Sequence, residues 1–415
     1  RDGKELRTEI LVKKGALRNL SVLAKDFLPQ SCHGAVNFLV TDTIIDPIYG
    51  DLVVDGLRNA GLTVFRIIVP ADSADVSGEA SGEPHKTTAV MLKCCDEIIA
   101  NGVSKHSCVI SLGGGVVNNL CGVIASLIYR GLSLVHITTT TMGMFDAAID
   151  FKQAVNHPLG KNLLGCYYPA STIIMDPECL ASLSERHVLN GISEALKHGL
   201  GQSVELVELI AGPLRDHGPA MLRDVDYLER VCKNSVETKC PTLDHYHSSD
   251  FNEMVPQYGH AVGHAVEHIS WAGSEHKPLL HGEAIAIGMC VSAEIALLLG
   301  LCGEDCVEDH YEVIQTVGLP VFVPSSIGLD AIRKKMMFDK HFVQKPVMGL
   351  PAELGCLAHR ESAGKRSYGW AIEDSVLEAA LVANVSRRES VQPPPLSNVS
   401  MVSLFSQVAG EECLC

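Results

Sequence analysis

Up to about residue 178 the chain alternates short β-branched apolar runs with stretches of helical periodicity. Residues 35–40 (AVNFLV), 63–69 (TVFRIIV), 108–112 (CVISL), 134–137 and 172–175 read as buried strands. Residues 47–59, 87–101 and 118–130 read as the helices that cross between them. Strands alternating with helices predict a mostly parallel, doubly wound α/β sheet. After residue 178 strand signals nearly vanish. Ser182-Leu183-Ser184-Glu185 has the form of a capping box opening a helix that runs through Glu194 and Lys197. Residues 257–269 and 283–299 carry helical periodicity, so the second half is expected to be helical. Residues 241–250 and 271–278 read as exposed loops. Residues 386–415, with Pro393-Pro394-Pro395, read as a poorly ordered tail.

Composition narrows the partners. The chain has 415 residues, 47% hydrophobic but only 5% aromatic, so its cores must be built from Ala, Val, Ile and Leu. Lys+Arg number 33 against 49 Asp+Glu, a formal charge of -16, which disfavours nucleic acid or an anionic membrane surface. An anionic substrate must then be drawn by a local basic pocket. The 15 scattered cysteines show no zinc-ribbon spacing and read as reduced core thiols of a cytoplasmic protein. The apolar run 284–299 contains Glu294 and is short for a bilayer span. The leading Arg suggests that a natural N-terminus lies further upstream. The final Cys-Leu-Cys does not match a prenylation signal.

Three clusters carry chemistry. Ile110-Ser111-Leu112 followed by Gly113-Gly114-Gly115 and Asn118-Asn119 is a strand, a tight turn and a helix start. That arrangement suits a pyrophosphate, because glycines admit the phosphate oxygens and the helix start offers free N–H groups. It equally describes a close-packed turn. Asp146, Lys152, Lys161 and Asn162 fall within seventeen residues, the last two beside a turn-like segment at 156–160. Lysines attract phosphate while Asp and Asn read hydroxyls, although an ordinary surface loop has the same composition. Finally, His260 and His264 are one helical turn apart, with Glu194 on another helix and His281 ahead of a third. A Glu/His/His set with one coordination position left for substrate fits a catalytic zinc-type centre, and the fourth group could move protons.

The stretches GGGVVNNLCGVIASLIYRG, TTTTMGMFDAAIDFKQAVNHPLGKNLLGCYYP, ERHVLNGISEALKHG and QYGHAVGHAVEH…HGEAIAIGM resemble the sugar phosphate cyclases, the dehydroquinate synthase-like superfamily, over roughly residues 35–350. Within it, FKQAVN, GEPHKT, Asn119 and QYGH look most like the 2-deoxy-scyllo-inosose synthases. The resemblance implies an N-terminal Rossmann-like NAD-binding domain (1–178), an all-α metal- and substrate-binding domain (179–385) and the tail. It also implies tightly bound NAD, a divalent metal (zinc or cobalt) and a homodimer. Carried over by position, Glu194, His260 and His281 look like metal ligands and His264 like the general acid/base, with Lys152, Gln257 and Asp146 also catalytic. Arg130, Asp146, Lys152, Asn162, Lys197 and Lys239 look like substrate contacts, Arg130 reaching toward a partner subunit's site. Asp42, Glu83, Lys86, Gly114, Gly115, Asn119, Thr139, Thr140 and Lys161 look like NAD contacts.

The implied reaction is redox-neutral: transient oxidation acidifies a C–H, phosphate leaves, hydride returns, and an aldol step closes a carbocycle. The enzyme would therefore be a lyase. Glucose 6-phosphate giving 2-deoxy-scyllo-inosose is the expected reaction. Its alternatives are a sedoheptulose 7-phosphate cyclase of the 2-epi-5-epi-valiolone synthase type and 3-dehydroquinate synthase. Outside the class stand a polyol dehydrogenase and a degenerate, non-catalytic paralogue. Three positions depart from the relatives. Gln257 replaces a Glu of the deoxyinosose synthases, and Glu253 replaces an Arg of the dehydroquinate synthases. His341 stands where a substrate lysine usually follows, with Lys340 and Lys345 as candidates to replace its charge.

Overall fold

The computed structural model describes residues 7–75, 77–158, 160–243, 254–272, 277–338, 342, 344–362 and 364–391. The chain opens with β1 (Glu9–Val12) and α1 (Leu20–Phe27), then β2 (Val36–Asp42), α2 (Asp51–Asn59), β3 (Thr63–Val69) and α3 (Thr88–Ala100). It continues through β4 (Cys108–Gly113), α4 (Gly115–Leu127), β5 (Ser133–Thr138), the ribbon β6 (Lys152–His157) and β7 (Gly160–Tyr167), and β8 (Thr172–Met175). Helices α5 (Glu185–Gln202), α6 (Val204–His217), α7 (Val225–Leu243), α8 (His260–Ala272), α9 (His281–Leu298), α10 (Glu304–Val317) and α11 (Leu329–Met336) follow. Short strands lie between Val347 and Ala371 before α12 (Asp374–Val391).

β1, β8, β5, β4, β2 and β3 form one six-stranded sheet, parallel at every pairing. The central strand β4 is buried at every residue, as a strand covered on both faces must be. The expected strands are all present, and the sheet gains one edge strand, β1. Four residues carry too little pattern to announce a strand.

Three expectations need correction. α5 is capped by Ser184, whose side chain accepts from the His187 N–H, and Ser182 instead closes a preceding 3-10 turn. Residues 156, 157 and 160 belong to the β6–β7 ribbon. The helical half also contains small antiparallel ribbons at 347–371. α7 and α8 run into the two expected loops, ending at Leu243 and Ala272; residues 244–253 and 273–276 lie outside the described set. α12 likewise extends past residue 385 to Val391, and residues 392–415 lie outside that set.

One apolar core joins the halves, running from Phe38, Val109 and Leu120 under the sheet to Ile192, Leu196, Tyr227 and Ile285 among the helices. α9 is long and apolar enough to cross a membrane by composition, but 78% of it is buried inside the protein. A helix apolar all round is what the centre of a helical layer requires. The thirteen described cysteines are free thiols, nine of them buried.

Candidate active site at the junction of sheet and helices

Three helices converge because small residues let their backbones touch. A Cβ on Gly288 of α9 would sit 2.0 Å from the Gly259 carbonyl oxygen just before α8. A Cβ on Gly282 would sit 2.0 Å from the Asn190 carbonyl oxygen of α5. Gly282 N–H also donates to Asn190 Oδ1 at 2.6 Å, and Ser193 Oγ donates to the Gly282 carbonyl at 2.7 Å. These contacts bring Glu194 (α5), His260 (α8) and His281 (α9) together.

Glu194 Oε1 lies 3.6 Å from His260 Nε2 and 3.4 Å from His281 Nε2. His260 Nδ1 faces the Tyr258 carbonyl at 3.0 Å, and His281 Nδ1 faces Glu267 Oε2 at 3.0 Å. Both acceptors require Nδ1 to carry the proton, so a neutral ring leaves its Nε2 lone pair aimed at Glu194. Glu194 Oε1 is buried without a hydrogen-bond partner. Two imidazole nitrogens and one orphaned carboxylate oxygen around a common point are a donor set for a divalent cation.

His264 completes a second possible trio with His260 and His281, its ring centroid 5.1 Å and 5.6 Å from theirs. Its ring is exposed whereas Glu194 is fully buried and orphaned. Glu194 is therefore the stronger candidate for a ligand, and His264 the candidate for moving a proton.

Burial resists the charge on His281, but the Glu194 and Glu267 carboxylates overcome it and push the imidazole up to about 10, so a cation binding here would displace the Nε2 proton. Burial also opposes a charged Glu194, yet the Lys197 ammonium, with His281, holds its carboxyl well below the usual range. Burial, reinforced by the Lys197 ammonium, keeps His260 neutral.

Beside this set lies a floor of paired charges. Lys197 donates to Glu194 Oε2 at 2.5 Å. Lys239, fully buried, pairs with the Asp146 carboxylate and reaches the Asp146 carbonyl at 3.1 Å. Burial pushes Asp146 up, and Lys239 more than offsets it, so its pKa falls below the usual range. Asp146, Glu194 and His198 also cluster within metal-binding distance of one another. Two ammonium groups already neutralise that cluster, which makes it a poor second cation site. His198 was missed by the reading. Its Nδ1 meets Gln202 Nε2 at 2.8 Å, while its Nε2 is buried and unpartnered.

The remaining expected residues fall at differing distances from this centre. Lys152 lies 3.4 Å from Asp150 Oδ2 at the start of the ribbon. Gln257 is half-buried in the turn before α8, its carbonyl accepting from the His260 N–H. Arg130 sits with Tyr129 at positive φ beyond the C-terminal end of α4. A 13-residue helix is roughly 20 Å long, so Arg130 is remote from the glycine turn that begins α4.

At that turn, a Cβ on Gly114 would lie 2.9 Å from Thr140 Cγ2, and one on Gly115 2.9 Å from Ala147 Cβ. Among the described residues no side chain caps the start of α4, so its first N–H groups can face an anion. Thr139 Oγ1 is buried without a partner, while Thr140 Oγ1 accepts from the Gly143 N–H. Glu83, Lys86 and Asn162 form one network with Asn156: Lys86 Nζ donates to Asn162 Oδ1 at 2.8 Å and pairs with Glu83 at 3.1 Å, and Asn156 Nδ2 donates to Glu83 at 2.7 Å. Asp42 Oδ1 caps the turn after β2 by accepting from Ile44 and Ile45. The Asn119 amide fastens α4 to β6, donating to Gly115 O and accepting from the Ala154 N–H. Lys161 pairs with Glu267 and lies over the Trp271 ring. Lys345 pairs with Glu373 at the surface. Glu253, Lys340 and His341 lie outside the described residues.

Known proteins share this arrangement of halves. Residues 78–190 match the 3-dehydroquinate synthase N-terminal family, and residues 191–342 match the 3-dehydroquinate synthase C-terminal family. A 2-deoxy-scyllo-inosose synthase of Streptoalloteichus tenebrarius is 32% identical over 361 residues, covering 86% of this chain and 88% of that one. A 3-dehydroquinate synthase of Desulforamulus reducens is 32% identical over 333 residues, covering 79% and 87%. Among solved structures, a 2-epi-5-epi-valiolone synthase from Streptomyces hygroscopicus subsp. jinggangensis, with NAD+ and Zn2+ bound, superposes with a TM-score of 0.75 at 27% identity, covering 92% of this chain and 98% of that one. Matched from residue 78, ahead of α3, through the metal-type cluster, the chain belongs to the dehydroquinate synthase-like family of sugar phosphate cyclases.

Proposed function

We propose that this protein is an NAD- and divalent-metal-dependent lyase that closes a sugar phosphate into a carbocycle with loss of phosphate. Its substrate is glucose 6-phosphate and its product 2-deoxy-scyllo-inosose. The observation that carries the reading is Glu194 Oε1 set 3.6 Å and 3.4 Å from two imidazole nitrogens, directly beside the Lys197 and Lys239 ammonium groups. Glu194, His260 and His281 would hold zinc or cobalt. The uncapped start of α4, Gly114, Gly115, Thr139 and Thr140 would receive the NAD pyrophosphate, with Asp42, Glu83, Lys86 and Lys161 around it. When bound, these groups supply reversible hydride transfer and polarisation of a substrate oxygen.

The chain's own residues do the rest. Lys152, Lys197 and Lys239 bind and orient the phosphorylated polyol, and Asp146 and Asn162 read its hydroxyls. His264, the exposed imidazole of the trio, moves the proton at the reacting carbon. Gln257 cannot relay a proton and serves as a hydrogen-bonding contact. Residues 1–178 form the NAD half and 179–385 the metal and substrate half.

A homodimer completes the unit. Leu127 and Tyr129 at the end of α4, with Leu163, Leu164 and Tyr167 on β7, are exposed. Ser126 Oγ and Cys166 Sγ, 3.2 Å apart, bring these two ends together. An exposed apolar strand edge is suited to a second copy, which would also meet Arg130.

The valiolone synthase superposition favours sedoheptulose 7-phosphate as the second reading. The test is release of inorganic phosphate by purified protein with NAD+ and Zn2+ or Co2+, offered glucose 6-phosphate, sedoheptulose 7-phosphate or 3-deoxy-arabino-heptulosonate 7-phosphate in turn. Release from glucose 6-phosphate is expected. Release from a heptulosonate or heptulose alone overturns the substrate, and release from none with metal bound favours a non-catalytic paralogue.

A further inference from the structure

Glu267 lies on α8, seven residues past His260 and three past His264, and it has no role in the assignments above. Its side chain is 14% exposed, and both of its oxygens are engaged. Oε2 accepts from His281 Nδ1 at 3.0 Å. Oε1 accepts from the Lys161 ammonium at 3.1 Å, and Lys161 in turn lies 4.9 Å from the centre of the Trp271 ring, one turn further along α8. An unbroken file therefore runs Glu194, His281, Glu267, Lys161, from the buried carboxylate to a strand of the nucleotide half.

Each link has a chemical consequence. A carboxylate on Nδ1 keeps the proton there and leaves the Nε2 lone pair of a neutral His281 facing Glu194. It also makes that nitrogen more basic, hence a better ligand. A carboxylate with a single partner could rotate about its side-chain torsions. One held at its second oxygen by a cation from β7 is fixed.

We propose that Glu267 is a positioning residue that locks His281 for cation binding and is itself held by Lys161, so that cation affinity depends on a lysine of the other half of the molecule. This rests on the metal-site reading above.

The experiment measures Zn2+ affinity by competition with a chromogenic chelator, and the visible absorption of the Co2+ form, for the full chain and four variants. His281→Ala removes a ligand and is the control. Glu267→Ala is expected to weaken Zn2+ by about 10–100-fold and to alter the Co2+ spectrum. Glu267→Gln, which fills the same space but can accept through only one atom, should fall between it and the parent. Lys161→Met should weaken Zn2+ by roughly two- to fivefold without touching the cation, a small fraction of an outer-shell loss. If Glu267→Ala does not fold, Glu267→Gln carries the test. Parental Zn2+ affinity in both Glu267 variants, or in Lys161→Met, while His281→Ala loses it, overturns this inference and leaves the metal site standing. Parental affinity in His281→Ala overturns both.

Discussion

Glu194 and Lys197, one turn apart on α5, form an ion pair of 2.5 Å with essentially no side-chain exposure, 0% and 2% respectively. Removing one member of such a pair leaves an uncompensated charge in the interior. Lys197→Met should therefore cost about 3–5 kcal/mol in metal-free protein. Saturating Zn2+ should recover part of that loss, because the cation would neutralise Glu194. Thermal unfolding with and without Zn2+ checks this; an equal loss in both conditions would contradict a cation at Glu194.

Asp146 and Lys239 give the pH dependence. The Asp146 carboxyl is depressed by Lys239 in the folded protein, so its contribution is complete above the unfolded value of about 4. It is lost as the pH falls through the lower folded value. Urea midpoints of the parent should consequently fall between about pH 4 and about pH 2 more steeply than those of Asp146→Asn. Parallel curves would rule out the pair as a source of acid lability.

The roles of the histidines separate by metal content. His264→Gln should keep bound Zn2+ while lowering turnover by about 10²–10⁴-fold, as expected for loss of an acid/base group. His260→Ala should lose the metal altogether. Metal analysis after dialysis decides it: loss of zinc from His264→Gln would make His264 a ligand instead.

Gly288→Ala places a Cβ 2.0 Å from the Gly259 carbonyl, which sits directly before His260. Relieving that overlap must push α9 away from α8, at a cost of about 1–3 kcal/mol for overpacking. Zinc affinity should fall in protein that is still folded by circular dichroism. Full retention of zinc would show that the helix spacing is not what builds the site.

On the exposed β7 edge, Leu163→Asp should turn a dimer into a monomer, measured by light scattering on a size-exclusion column. Unchanged mass would place the interface elsewhere.

How much of this was legible in sequence follows from what each feature depends on. Five of the six sheet strands, the helices between them and the helical second half follow from periodicity, a local property. Glu194, His260, His264 and His281 are legible as residue types at helical spacing. Their convergence on one point was decided by three-dimensional contacts, since Gly282 and Gly288 act only where backbones from distant segments meet. The ribbon at 152–167 was hidden because a turn-like composition also suits a two-stranded hairpin. Nor does local order show that the Asn119 amide ties α4 to β6. Glu267 had a visible signal, its place on the histidine face of α8, but nothing in the order of residues announces a lysine 106 positions away. Periodicity set the elements. Contacts between residues far apart in the chain set which side chains share a site, because that depends on packing distances that no local pattern records.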